Sequence, residues 1–193
     1  MRTVIPKDAN LIPNNAELMF KGIIYDTYHF KQKMFDSSYK TYEMLKRADT
    51  VLVIAIVDEK IVIINQKQSG HASSYIDIPG GRHDIESETE LDSAKRELLE
   101  ETGLTFSSWR LIDAWQPASH IDRLIYVFLA QDLLSKQEPN LDSGEKIYVK
   151  YLEFDKVKSL TKNRNARSMP IHIFDKANSL EELKNFPNFA GVK

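Results

Sequence analysis

Residues Val51 to Val57 read Val-Leu-Val-Ile-Ala-Ile-Val, an unbroken apolar run rich in β-branched side chains, and a second run, Ile61 to Ile64, follows Asp58-Glu59-Lys60. The pair predicts two strands joined by a turn. Strand side chains alternate between faces, so apolar residues at successive positions require cover on both faces. Helices packed around a sheet are therefore expected. Tyr75 to Ile78 predicts a short strand that stops at Pro79-Gly80-Gly81, a strong chain breaker. A helix should follow: Thr89 suits the N-cap with Asp92 in the capping-box position, Leu91, Ala94 and Leu98 share one helical face, and Gly103 suits the stop. Further strands are expected over 109–115, 123–130 and 147–154, and a short helix over 155–160. Strand candidates also lie at 22–30 and 39–44, with another short helix near 179–185. Strands, then a helix, then strands predict an α+β fold with mixed pairing.

With 193 residues the chain is long enough for one domain with a sizeable core. Its 26 basic and 28 acidic side chains leave a formal charge of −2, which argues against nucleic acid or an anionic membrane as a partner. A local basic pocket for phosphate remains compatible with that balance. No cysteine is present, so disulfides, thiolate metal sites and cysteine nucleophiles are excluded, and a cytoplasmic location fits. Met1 to Phe20 mixes Lys7, Asp8, Asn10, Asn14, Asn15 and Glu17 among its apolar residues, unlike a signal peptide or a membrane span.

The chemistry is concentrated in Pro79 to Leu104, PGGRHDIESETELDSAKRELLEETGL. Glu97, Glu100 and Glu101 stand at i, i+3 and i+4, which on a helix brings three carboxylates into one arc. Like charges at such spacings repel by roughly 0.2–0.5 kcal/mol per pair. Arg96 relieves Glu100 through the i,i+4 spacing but cannot neutralise all three. A hard divalent cation can, and all-oxygen ligation suits Mg²⁺ or Mn²⁺. Acidic clusters on helices are most often simply solvated; here the Gly-Gly turn, Arg96 and Gly103 set this one apart.

Arg96-Glu97-Leu98-Leu99-Glu100-Glu101-Thr102-Gly103-Leu104 matches the second half of the Nudix box, and seven residues back from Arg96 stands Glu88, as that pattern requires. Six residues rather than five separate Gly81 from Glu88, so the loop carries one extra residue around 83–86. The segment resembles the Nudix hydrolase family. The resemblance implies an α/β/α sandwich with a mixed central sheet, in which Glu97 and Glu101 are the principal ligands of Mg²⁺, Glu100 and the Gly81 carbonyl add to them, Arg96 orients a glutamate, and Glu88 supports the metal shell. The reaction it implies is metal-assisted hydrolysis of a diphosphate.

Within that family the ADP-ribose and nucleotide-sugar branch is the most similar. Arg47-Ala-Asp-Thr-Val51 resembles its strand entry, and Phe128-Leu-Ala-Gln-Asp-Leu133 one of its strand ends. Gln66 stands where the branch carries a Gln, Gln68 replaces an Arg, and Pro117 resembles the start of a Pro-Gly loop; with Arg82 and Arg123 these are the candidate substrate contacts. Glu145, followed by Ile147 and Val149, resembles the branch's general base, a role also open to Glu100 or Glu101. His83 and His120 are read as phosphate contacts or solvated loop residues, and Lys162, Arg164 and Arg167 as a solvated basic linker. The implied organisation is an N-terminal β extension over 1–45 forming a homodimer interface, a Nudix domain over 46–160, and a C-terminal tail with a short helix over 161–193. The rival readings are hydrolysis of a dinucleoside polyphosphate or nucleoside triphosphate, and a catalytically silent module that binds a nucleotide.

Overall fold

The computed structural model describes residues 2–70, 72–162 and 168–191. A small sheet comes first: β1 (Glu17–Phe20), β2 (Asp26–Lys33) and β3 (Tyr39–Lys46) form an antiparallel meander. The two apolar runs become β4 (Asp49–Val57) and β5 (Lys60–Gln68), an antiparallel pair. Then follow β6 (Tyr75–Asp77), β7 (Gly80–His83), helix α1 (Glu90–Thr102), β8 (Leu104–Trp115), the short β9 (Ile121–Asp122), β10 (Ile125–Lys136) and β11 (Glu145–Leu152). Three short helices close the chain: α2 (Phe154–Leu160), α3 (Ile171–Lys176) and α4 (Leu180–Lys184). The main sheet runs β11-β5-β4-β10-β8, with β6 on β5 and β7 on β4; β9 joins the small sheet beside β3. The β4–β10 pairing is parallel and its neighbours are antiparallel, so the main sheet is mixed.

The apolar runs are covered on both faces. Leu52, Ile54, Ile56, Ile61 and Ile63 pack with Phe154, Val157, Ile173, Phe174 and Leu183 from α2, α3 and α4. Val51, Val53, Ala55 and Val62 pack with Ala94 and Leu98 of α1. Alternate residues of the same strands therefore feed two cores, one on each side of the sheet, as expected of an α/β/α sandwich. The segment read as a tail thus supplies part of one core, and α3 was not foreseen. Of the basic stretch, Arg164 and Arg167 lie outside the described residues.

Three differences from the expected strands have a common origin in the backbone. β8 begins at Leu104 and β10 runs on to Lys136 because their antiparallel ladder continues to the pair Leu104↔Lys136. Ladder hydrogen bonds carry the exposed end of β10 over 132–136, while Leu104 and Phe106 of β8 are buried in the core on the α1 side. Gly80-Gly81, expected to break the chain, instead forms β7, pairing Gly80 with Leu52 and His83 with Asp49. A Cβ on Gly80 would meet the Val51 carbonyl at 2.2 Å, so glycine permits this approach.

Helix α1 begins and ends as its sequence dictates. The Thr89 hydroxyl accepts from the Asp92 N–H at 3.2 Å, Asp92 accepts from the Thr89 N–H at 3.1 Å, and Gly103 caps the C-terminus at φ 71°. The first turn is tied to the N-terminal segment. Glu90 accepts from the backbone N–H groups of Thr3 (2.6 Å) and Val4 (3.1 Å) and from the Thr3 hydroxyl (2.5 Å). Beside it, Arg2 pairs with Asp49 and Asp122 at 2.6 Å each. Burial raises the Glu90 pKa, but the Thr3 and Val4 donors outweigh it and hold the carboxyl below its usual range. Glu90→Gln is expected to cost about 1–3 kcal/mol of stability near neutral pH. A depressed folded-state pKa stabilises above the unfolded value, and that gain disappears as pH falls through the folded pKa. Melts from neutral pH down through the carboxylate range should converge for the two proteins; parallel curves would contradict the assignment.

Candidate active site

Helix α1, docked through Ala94 and Leu98, turns its acidic arc toward a cavity of about 700 Å³. The cavity is bounded by β5, β6, β7, α1 and β11, with Glu97, Glu100, Glu101, Asp77 and Glu145 among its lining. These five carboxylates, from β6, α1 and β11, share one space, and three of them were brought there by helical spacing alone.

Arg96 braces this group. Its Nε donates to Glu88 at 3.0 Å, its Nη1 to Glu97 at 2.8 Å and to Glu100 at 3.2 Å, and its Nη2 to the Arg82 carbonyl at 3.2 Å. Burial opposes the Arg96 charge, yet the bonds to Glu88 and Glu97 prevail and raise its pKa. Glu88 in turn accepts from the Ser93 hydroxyl at 2.7 Å and is held below its usual pKa chiefly by Arg96. Glu88 therefore anchors Arg96. His83 is buried and contacts the Ser93 hydroxyl at 2.8 Å, so it is neither a solvated loop residue nor a lining residue of this cavity. The extra loop residue is absorbed in a turn closed by the Glu88 N–H on the Ile85 carbonyl, which leaves Glu88 within reach of Arg96.

Two carboxylates bear the electrostatic cost. Burial raises the Glu97 pKa, opposed by Arg96 and reinforced by Glu100. Burial raises that of Glu101 well above normal; the Gly80 N–H, donating at 2.8 Å, opposes this, while Glu97, Glu145 and Asp77 add to it. Gly81 lies against Glu97, and a Cβ there would fall 2.2 Å from the Glu97 carboxylate. In this conformation no three acids or histidines among the described residues are poised around one ion position. The donor set itself fits a hard cation: it is all oxygen, negatively charged and partly desolvated.

The remaining lining is cationic or amide. Arg47, Arg82 and Arg123 border the cavity, and none of them is ion-paired with a carboxylate among the described residues. Arg123 donates to the Thr50 hydroxyl at 2.6 Å; burial first, and then the charge of Arg47, lower its pKa. Gln66 and Gln68 both donate to Glu145. Pro117 is not brought to the cavity. Its loop faces the N-terminal elements, where Gln116 donates to the Asn10 carbonyl at 2.7 Å and His120 stacks on Tyr42 at 5.4 Å. Sequence reasoning missed Asp77 and Arg47 as lining residues. Asp77 had a signal, an acid in a short apolar strand just before Pro-Gly-Gly. Its carboxylate accepts the Ile78 and Ser168 N–H groups.

Comparison with known proteins agrees with this geometry. The chain is similar to the ADP-ribose pyrophosphatase of Bacillus subtilis (strain 168), 28% identical over 151 residues that span 77% of this chain and 81% of that protein. It is also similar to the ADP-ribose pyrophosphatase of Mycobacterium tuberculosis (strain ATCC 25618 / H37Rv), 26% identical over 133 residues, 68% of this chain and 64% of that one. A crystal structure of an ADP compounds hydrolase shares the fold, with a TM-score of 0.65 at 19% identity over 79% of this chain and 83% of the other. The model of the NUDIX domain matches residues 46–171, which include the glycine turn, α1 and its glutamates, and on that match the chain belongs to the Nudix family and is a Nudix hydrolase.

Proposed function

We propose that this enzyme hydrolyses the diphosphate of ADP-ribose or a related nucleotide sugar in a Mg²⁺-dependent reaction, giving a nucleoside monophosphate and a sugar phosphate. The observation that carries the reading is the opposition across one cavity of two acids, the half-buried Glu97 and the buried Glu101, and two arginines, Arg47 and Arg123, that have no carboxylate partner among the described residues. A diphosphate needs both: cations for its oxygens and carboxylates to hold a metal against it. The two relatives named as ADP-ribose pyrophosphatases support the choice of substrate.

Glu97 and Glu101 would hold the ion, with Glu100 and the Gly81 carbonyl as further ligands. When bound, Mg²⁺ supplies charge neutralisation of the diphosphate and activation of water. Arg96, at the cavity wall, keeps Glu97 and Glu100 in place. Arg123, Arg47 and Arg82 bind substrate oxygens. Glu145 acts as general base: Oε1 takes both glutamine amides, while Oε2 has no hydrogen-bond partner among the described residues. One water proton passes to Glu145 as the water oxygen bonds to phosphorus. The bridging P–O bond then breaks and its oxygen leaves with the departing phosphate.

The test is product-resolved hydrolysis of ADP-ribose, ADP-glucose, GDP-mannose, diadenosine tetraphosphate and a nucleoside triphosphate. A kcat/KM for ADP-ribose or a sugar nucleotide above those for the last two supports the reading, and the reverse order overturns it. Nucleotide binding without turnover of any substrate would instead identify a silent binding module. The absence of cysteine supports a cytoplasmic location, and no described helix is long and apolar enough to cross a membrane. Exposed Leu18, Met19, Phe20, Ile23, Ile24 and Tyr39 on and beside the small sheet support a homodimer formed through that face. Sedimentation equilibrium at a monomer mass would remove that part of the proposal.

A further inference from the structure

Gln66 and Gln68 stand two residues apart on β5 and so share a face. The β5–β11 register places Glu145 directly opposite Gln68 and one diagonal step from Gln66. Both side-chain amides converge on a single oxygen, Oε1 of Glu145, from Gln66 Nε2 at 3.0 Å and Gln68 Nε2 at 2.9 Å. Behind them the Tyr75 hydroxyl, on β6, donates to Gln66 Oε1 at 3.0 Å. An amide is two-faced: turned over, Gln66 would present its oxygen to a carboxylate and repel it. The Glu145 carboxylate, which only accepts, selects the donating face, and the Tyr75 hydroxyl holds it there by donating to the amide oxygen turned away.

We propose that Tyr75, Gln66 and Gln68 form an amide clamp that positions Glu145 as the general base, holding Oε1 and leaving Oε2 to take the proton. The chemistry of the donors matters. A guanidinium or ammonium in the same place would bind the carboxylate as an ion pair and weaken it as a base. Neutral amides fix orientation at a smaller cost in basicity. Two strands, β5 and β6, contribute the clamp and β5 pairs with β11, so the base is held by the sheet although it sits at the very start of β11, immediately after the 137–144 connection. These residues act through Glu145, so they are positioning residues. The inference rests on the role given to Glu145 above.

Gln68→Leu removes one donor at similar size. It is expected to lower kcat about tenfold while KM for ADP-ribose stays within about twofold, since what is lost is orientation in the reacting state. Tyr75→Phe, which removes the bond holding the Gln66 oxygen and so loosens that amide, should move kcat in the same direction by a smaller factor. The decisive comparison is the same Gln68→Leu change made in Glu145→Gln. If Gln68 works through Glu145, the change costs less than about twofold there. Equal loss of kcat in both backgrounds, or a rise in KM with kcat unchanged, would overturn the clamp. Glu145→Gln alone leaving kcat at the unmodified level would overturn the role of the base and the clamp together. Failure of the hydrolase reading is distinguishable, because the unmodified protein would then turn over none of the substrates, and the clamp would fall with it.

Discussion

Glu101→Gln is expected to lower kcat by about a thousandfold or more, the scale on which removal of a charged group from a metal-assisted or proton-transfer step acts, and to leave the folded protein at least as stable. The two effects have one cause. Glu101 is buried, takes a single hydrogen bond from Gly80, and faces the charges of Glu97, Glu145 and Asp77. In the folded chain without a cation its ionised form is the unfavourable one. A glutamine keeps the shape, still accepts from Gly80 through its oxygen, and turns an amide toward neighbouring acids. Function alone asks for a charge in that position, so removing it trades activity for stability. Kinetics and thermal melts of the metal-free proteins measure both halves. A variant that loses activity together with several degrees of melting temperature would point to a structural role for Glu101.

Gly81→Ala is expected to be nearly as damaging to turnover, about a hundredfold in kcat, at little cost in stability. Its Cβ would stand 2.2 Å from Glu97 Oε2 and 2.3 Å from Cδ, so the carboxylate must move. The atoms displaced are the far end of a side chain, and relaxation is cheap for the fold. It is costly for the site, because Arg96 holds that carboxylate at 2.8 Å and a swing breaks the bond that aims it. Steady-state kinetics beside thermal melts test this. Unchanged kcat would show that the position of Glu97 is not what the glycine protects.

Much of this was legible in the sequence because its signals are local. The caps of α1, its buried stripe and the acidic arc all lie within fifteen residues of one another, and helical geometry converts that spacing directly into a surface. The doubly apolar runs announced a covered sheet in the same way. What escaped was non-local or made of backbone. β7 forms from glycines with no side-chain pattern, and only the β4 partner reveals it. His83 is buried because Ser93, ten residues on, returns to it along the helix. Pro117 resembles a substrate loop, yet the contacts of Gln116 and His120 turn its loop to the N-terminal elements. Gln68 replaces an arginine and meets Glu145 only through a strand pairing 77 positions away in sequence. Of the three C-terminal helices only α3 escaped, because six residues are too few for a periodic pattern to emerge, although Ile173 and Phe174 are wholly buried.

The most direct test of the central claim is the rate of ADP-ribose hydrolysis as Mg²⁺ is titrated into metal-free protein, unmodified and Glu101→Gln side by side. The account predicts no turnover without the cation, saturable activation in the unmodified protein, and a collapse of kcat in the variant at every concentration. Cleavage that persists under chelation, or a variant that reaches the unmodified rate at high Mg²⁺, would contradict the assignment of this acidic cavity as the metal-dependent hydrolytic centre.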